Sequence, residues 1–172
     1  RDKSGAKNPY FVVSVINKRF LEWLNDIFGV LTNGVSVKST PEQISERTER
    51  SGFGNGSDGT YNTMYQIRFR SHPKFKDFLS WYSDGSKSFP TNLTLTRDLM
   101  RMWYVCDGGL NHGGYPKVSL YTVNEDDQLD WWAEKIRKVG FDCYPASEQL
   151  IIPCGDVKDF LEWIGPAPPG YE

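Results

Sequence analysis

A carboxylate, Asp107, stands near the end of the stretch with the strongest chemical signal, residues 95–110 (LTRDLMRMWYVCDGGL). This stretch predicts a helix that begins after an N-cap at Thr96 and stops at Gly108 and Gly109. Asp107 is then the last helical side chain, where the negative end of the helix dipole disfavours a carboxylate. It is either a surface aspartate before a turn or a carboxylate that holds a metal ion. The stretch alone does not decide between these two interpretations.

The helix that carries Asp107 needs an apolar side that packs against the rest of the protein and holds the helix in place. Leu99, Met102, Trp103 and Cys106 recur at helical spacing and predict that side. Several tryptophans fall on apolar helix faces, and we predict that they belong to the core rather than stack on bases. They are Trp23, Trp81, Trp103, Trp131 and Trp163.

The composition of the chain limits the classes of protein to which it can belong. The chain has 172 residues, of which 38% are hydrophobic and 15% aromatic, enough for one domain or two small repeated halves. The formal net charge of −2 gives no bulk signal for nucleic acid, so any basic surface must be local. Cys106, Cys143 and Cys154 form neither a disulfide framework nor a C-x-x-C zinc pattern, which favours an intracellular compartment, cytoplasmic or organellar. No membrane span or signal peptide is predicted.

Hydrophobic periodicity gives a mixed order of strands and helices, with a polar loop at 40–60 and a linker at 83–93. The predicted strands are residues 10–16, 35–39, 61–71, 115–122, 141–144 and 149–152. The predicted helices are residues 18–28, 73–82, 96–107, 125–139 and 156–164. The first of these helices is expected to bury Phe20, Leu24, Ile27 and Phe28. Asn33-Gly34 and the run 108–114 are predicted turns.

Residues 61–71 alternate clearly between apolar and polar side chains. Ile67 and Phe69 are predicted to face the core, and Arg68 and Arg70 are predicted to face solvent. This strand therefore supplies outward-facing cations.

Two segments of the chain nearly coincide. KDFLSW at 76–81 and KDFLEW at 158–163 differ at a single position, and upstream of them FLEW at 20–23 matches QLDW at 128–131. Each copy reads strand, helix, strand, strand, helix. The longer first copy is accommodated by the loop at 40–60. A duplication explains this order better than a chance match between amphipathic helices.

With this repeat, the chain resembles the LAGLIDADG homing endonucleases. The segment 103–108, WYVCDG, looks like the second motif of two-repeat members of that family. The resemblance implies an α/β (α+β) fold of two pseudo-symmetric αββαββα halves, 1–93 and 94–172, whose antiparallel sheets form a DNA-binding saddle. The first half would lack its first helix, and the active site would be completed by a missing N-terminal segment or by a second chain.

The resemblance also implies an activity: site-specific, metal-dependent hydrolysis of phosphodiester bonds in double-stranded DNA, as in intron or intein homing. Mg²⁺ or another divalent cation would be the cofactor. Asp107 would be the catalytic residue and metal ligand, with Cys106, Gly108 and Gly109 around it. Gly108 would let the backbone and a phosphate approach closely.

Outward side chains of the strands would contact the DNA in this scheme. Arginine pairs with guanine and glutamine with adenine in the major groove. The candidates are Lys38, Gln66, Arg68, Arg70, Lys117, Ser119 and Tyr121. An ordinary solvated sheet face would carry similar residues.

Other functions fit part of the pattern. Because the chain shows one motif acid, a DNA- or RNA-binding descendant without cleavage, such as a maturase or a transcription regulator, is the main alternative. A protein-interaction domain without a nucleic-acid role is a third. His72 and His112 form no ligand set, and we expect them to be structural and solvated, respectively.

Overall fold

A computed structural model describes residues 8–51, 60–83, 86–87, 89–90, 92–122 and 128–172. The chain divides into two compact units, Arg1–Asp77 with Pro168–Glu172, and Phe78–Ala167. Both units mix helices and strands, and every strand pair among the described residues is antiparallel, which confirms the α+β class. The halves 1–93 and 94–172 and their twofold relationship stay predictions. None of the helices in these described ranges is long and apolar enough to cross a membrane.

The first unit is built on a three-stranded sheet with the order β1-β3-β2. Its elements in chain order are β1 Val12–Val15, α1 Lys18–Phe28, a 3-10 turn Gly29–Leu31, β2 Thr32–Ser39, α2 Pro41–Ser51 and β3 Met64–Phe69. A 3-10 helix, Pro73–Trp81, follows where the sequence predicted an amphipathic helix. The second unit opens with β4 Tyr82–Ser83, which pairs with β5 Ser86–Lys87, so the end of the predicted helix and the start of the predicted linker form a short strand pair.

Helix α1 has the predicted bounds but a shorter buried stripe. Its N-cap Asn17 accepts a hydrogen bond from the backbone N–H of Phe20 at 3.3 Å. Phe20, Leu21 and Leu24 are buried, whereas Ile27 and Phe28 are exposed, contrary to the prediction. Full burial is confined to the first two turns, and in the last turn the Phe28 ring packs edge-on against Phe69, with the ring centroids 5.0 Å apart.

Part of the predicted loop at 40–60 is helix α2, so that prediction was wrong for Pro41–Ser51. Thr40 and Gln43 form a reciprocal capping box: each backbone N–H donates to the other side chain, at 3.1 and 3.4 Å. This local pair starts the helix despite its polar sequence. Residues 52–59 of the predicted loop lie outside the described residues.

The predicted turn at Asn33-Gly34 is a bulge inside β2. The register between β2 and β3 shifts between Thr32 and Val35, and Gly34 has φ +81°, which favours glycine. The bulge keeps one continuous strand where the sequence predicted a break.

From Arg97 onwards, the second unit has the element order αββαββα. It comprises α3 Arg97–Asp107, β6 Gly108–Asn111, β7 Lys117–Tyr121, α4 Leu129–Val139, β8 Tyr144–Ala146, β9 Gln149–Ile152 and α5 Cys154–Ile164. The four strands form a sheet in the order β6-β7-β9-β8. The predicted turn at 108–114 was wrong in its first part, because Gly108–Asn111 pairs with β7 as an edge strand.

The core of the second unit lies on one face of this sheet, and α3, α4 and α5 all contribute to it. Buried apolar residues of the central strands and of the three helices form one cluster. They include Val118, Leu120, Leu150, Ile152, Met100, Trp132, Ile136, Phe160 and Ile164. The five tryptophans predicted for the core are half-buried, and the fully buried one is Trp132.

Both units share one strand topology. β1-β3-β2 and β7-β9-β8 each place the third strand of a strand–helix–strand–strand order between the other two. The KDFLEW segment follows the central strand within the second unit, in Cys154–Ile164. The KDFLSW segment follows the central strand of the first unit in chain order, in Pro73–Trp81, but the boundary between the units falls within it, after Asp77. The order predicted from the repeat is complete within the second unit, whereas in the first unit α2 is inserted before the central strand and the final segment is a 3-10 helix.

Candidate nucleic-acid interface and carboxylate site

The second sheet presents a polar face opposite its helices. Because side chains alternate along a strand, Lys117, Ser119 and Tyr121 lie on the face opposite Val118 and Leu120. A recess of about 400 Å³ opens on this face. It is lined by Gly109, Leu110, Asn111, His112, Lys117, Ser119, Tyr121 and Gln149.

The three predicted readers on β7 differ in accessibility. Tyr121 is 51% exposed and Lys117 is half-buried. Ser119 lies on the predicted face, but its side chain is only 6% exposed, which corrects the expectation that it points freely to solvent. The reason is its place on an interior strand, where it lies between Gly109 and Ile151 of the neighbouring strands.

The first sheet also presents a polar face, and its side chains are already paired with one another. Lys38 Nζ donates to Ser14 Oγ at 3.2 Å, and Gln66 Nε2 donates to Ser36 Oγ at 3.4 Å. These cross-strand hydrogen bonds hold the predicted readers of β2 and β3 above the sheet. The sequence analysis did not single out Ser14. Its position between two valines in β1 could have indicated that it lies on the polar face.

The alternation predicted for β3 is confirmed. Ile67 and Phe69 are buried, and Arg68 and Arg70 are exposed. Arg70 Nε donates to the backbone carbonyl of Thr32 at 3.1 Å, so this guanidinium is anchored to the neighbouring strand. Arg68 is bound instead to a side chain, Tyr10, that the sequence reasoning did not single out.

The described strands carry no acidic side chain. The chain contains 22 aspartates and glutamates, yet none of them falls within β1 to β9. On the polar faces of the two larger sheets the charged residues are Lys38, Arg68 and Lys117. The net charge of −2 therefore arises elsewhere, and the sheet faces are locally positive.

Asp107 ends α3 as predicted and is exposed to solvent. Thr96 is the N-cap, since its side chain accepts a hydrogen bond from Leu99 N at 3.2 Å. Gly108 begins β6 directly after Asp107, with extended φ −105°. A Cβ at Gly108 would clash with the backbone carbonyl of Tyr104 and lie 2.5 Å from its Cδ2, so the close approach of Tyr104 requires glycine at this position.

The predicted apolar side of α3 packs only partly against the core, through Leu99 and Trp103. Met100 is the buried residue of this helix, while Leu99 and Met102 line an apolar groove of about 490 Å³ within the second unit. Trp103 lines the groove and also packs against the buried Trp132, with the two ring centroids 5.0 Å apart. The remaining lining residues are Trp81, Phe89, Leu93, Asp98, Cys106, Asp107 and Tyr121.

Cys106 shares the rim of this groove with Asp107. Partial burial of the thiol raises the pKa of Cys106, and the neighbouring Asp107 carboxylate raises it further. The Cys106 thiol is therefore a poor nucleophile at neutral pH.

The described residues do not by themselves make up a metal site. No group of three or more His, Cys, Asp or Glu in the described ranges could hold an ion. Asp107 offers a single carboxylate, whereas a divalent cation binds several oxygen ligands, so Asp107 accounts for only part of such a site. His112 is exposed in the polar recess, and His72 Nδ1 accepts the backbone N–H of Lys74 at 3.2 Å, which is a structural role.

Comparison with known proteins does not assign the chain to a family. No family model matches the sequence, and no curated protein matches it. The resemblance to the LAGLIDADG endonucleases therefore rests on the motif at 103–108, the internal repeat and the order of the elements.

Proposed function

We propose that this chain acts on double-stranded DNA as a site-specific endonuclease of the LAGLIDADG type. The αββαββα order of the second unit is the order that the resemblance implies for one half. The first unit repeats the strand topology β1-β3-β2 and corresponds to the other half without its first helix. Each half contributes one sheet face to DNA binding.

The absence of acidic residues from the described strands is the observation that carries this proposal. A DNA-binding face must not repel phosphates, and a two-stranded ribbon fits the major groove of B-DNA. Lys38 and Arg68 on the first sheet and Lys117 on the second supply cations. Gln66 and Tyr121 supply polar and aromatic contacts on the same faces.

Asp107 is the catalytic residue in this proposal. A divalent cation such as Mg²⁺, when bound, would neutralise charge on the attacked phosphate and activate a water molecule. Asp107 would be one of its ligands, held at the end of α3 by the Thr96 cap and the strand that follows. We propose that a second carboxylate comes from outside the described residues, on a helix that covers the apolar groove along Leu99 and Met102.

DNA binding and cleavage are tested separately. Fluorescence anisotropy with a random-sequence duplex at low salt is expected to show binding that weakens as salt rises. A library of target duplexes is incubated with Mg²⁺ and the protein together with the N-terminal segment or second chain that completes the site. This mixture is expected to yield cut products that the Asp107→Asn variant does not produce, whereas the chain by itself is expected to cut poorly or not at all. No binding at low salt contradicts the proposal as a whole.

A DNA- or RNA-binding protein without cleavage is the second candidate. It is favoured by one observation, that Asp107 has no companion acids or histidines forming a metal group among the described residues. Salt-dependent binding, with no cleavage by the chain alone or with an added helix-bearing partner segment, would select this function.

A further inference from the structure

One arginine on the first sheet is held ready for contact with a base. Arg68 Nη2 donates to Tyr10 Oη at 2.7 Å, and its guanidinium carbon lies 4.3 Å from the centroid of the Tyr10 ring. The pair is exposed to solvent on the polar face. The cation–π contact and the hydrogen bond together orient the guanidinium, while its other N–H groups remain available for a second partner.

An apolar side chain lies beside this pair on the same face. Val12 is the cross-strand partner of Arg68 in the register of β1 and β3, and it is 44% exposed. Side chains of directly opposed residues lie about 4.5–5.5 Å apart, which is comparable with the roughly 3.4 Å rise between base pairs. An exposed valine among serine, glutamine and arginine has no role in the core of this unit.

We infer that Tyr10, Arg68 and Val12 form one base-reading group. Arg68 reads a guanine through its O6 and N7 acceptors, and Val12 contacts the methyl group of a thymine at the neighbouring base pair. Tyr10 is a positioning residue: it orients Arg68 and touches no base. This inference rests on the proposed DNA-binding function and specifies which residues of the first sheet set sequence preference.

The chemistry favours guanine over a phosphate as the partner of Arg68. The exposed Val12 beside Arg68 suits the methyl group of a base in the major groove, whereas an apolar side chain has nothing to offer a charged phosphate. A bidentate contact with guanine requires a fixed guanidinium plane, which the tyrosine supplies. Lys38, whose Nζ is held by Ser14, offers a single point charge and suits a phosphate better.

The test selects duplexes from a randomised library with the full chain. The wild type is expected to enrich a guanine next to a thymine. Arg68→Ala is expected to lose the guanine preference by roughly 5- to 150-fold, the range for one bidentate contact. Val12→Ala is expected to lose the thymine preference alone.

Tyr10→Phe isolates the positioning role, because it keeps the ring and removes the hydroxyl. It is expected to lower guanine discrimination several-fold, with non-specific affinity and salt dependence unchanged, since no charge is lost. Lys158→Ala on α5 is the charge-matched control for Arg68→Ala and is expected to keep the wild-type preference. Circular dichroism checks that each variant is folded.

Three results overturn the inference without touching DNA binding itself. They are unchanged guanine discrimination in Tyr10→Phe, a uniform loss of affinity for all sequences in Arg68→Ala, and wild-type binding without any base preference. A complete lack of DNA binding by the wild type instead contradicts the proposed function, and the inference falls with it.

Discussion

Trp103 donates its indole N–H to the backbone carbonyl of Tyr121 at 3.2 Å, which joins α3 to the end of β7. The donor is the central aromatic residue of the helix that ends in Asp107. The acceptor belongs to the residue whose side chain lies on the polar sheet face. This hydrogen bond therefore sets the position of the carboxylate-bearing helix relative to the sheet of the second unit.

Replacing Trp103 with phenylalanine is expected to lower the free energy of unfolding by about 0.5–1.5 kcal/mol for the lost hydrogen bond, with a further loss from the smaller ring. Urea unfolding measures the change. Trp163→Phe is the control for ring size, because Trp163 is half-buried and its indole N–H has no partner among the described residues. Equal losses in both variants would show that the hydrogen bond contributes nothing.

Gly108 and Gly109 are expected to respond differently to alanine. A Cβ at Gly108 meets Tyr104, so Gly108→Ala is expected to cost about 1–3 kcal/mol through overpacking. Nothing lies within 4 Å of a Cβ at Gly109, so Gly109→Ala is expected to be neutral or slightly stabilising. Thermal unfolding of the two variants compares them directly. A loss at Gly109 as large as at Gly108 would contradict the packing role of Tyr104.

Lys38 and Lys117 test the contribution of the two sheet faces to DNA binding. If each contacts a phosphate, each alanine variant should lower the slope of log affinity against log salt by about 0.9, and the double variant by about twice that. Anisotropy titrations at several salt concentrations measure the slopes. An unchanged slope in one variant would remove that face from the interface.

The sequence predicted the elements whose signals are local. The bounds of α1 and the Thr96 cap of α3 follow from capping residues and helical periodicity, and the burial of Ile67 follows from strand alternation. The capping box at Thr40 and Gln43 was also present in the sequence, but the polar composition of the segment concealed it.

Other features depend on partners that are distant in sequence. The burial of Ser119 follows from the strands on both sides of β7, which no local pattern reveals. Gly108 was predicted to end a helix in a turn, but its neighbour Tyr104 and its pairing with Leu120 make it part of a strand. The partnership of Arg68 with Tyr10 likewise joins residues 58 apart in the chain.

The reactivity of the Cys106 thiol is expected to depend on the charge of Asp107. Because the carboxylate helps to raise the thiol pKa, Asp107→Asn should lower that pKa and increase the thiolate fraction at a fixed pH below it. Alkylation of Cys106 by iodoacetamide, followed by mass spectrometry at pH 8, is expected to be faster in the variant. Cys154, which is also exposed, serves as the internal control. An unchanged ratio of the two rates would show that the carboxylate does not act on this thiol.

Asp107 and Asp98 provide a matched pair for separating function from stability in α3. Asp98 lies in the first turn, where a carboxylate is favoured by the helix dipole, and it accepts from Arg101 at 2.7 Å. Asp98→Asn is therefore expected to destabilise the protein. Asp107 lies at the opposite end, so Asp107→Asn is expected to stabilise it by about 0.3–1 kcal/mol.

DNA binding by Asp107→Asn should be retained or improved, because a negative charge near phosphate has been removed. Cleavage in the presence of Mg²⁺ should be lost, since asparagine is a weaker ligand for a hard cation than a carboxylate. Urea unfolding, anisotropy and a cleavage assay on the same protein preparation measure the three effects. A variant that is more stable, binds DNA and does not cut identifies Asp107 as a residue retained for catalysis at the expense of stability. Cleavage at the wild-type rate by this variant would show that Asp107 is not a catalytic residue.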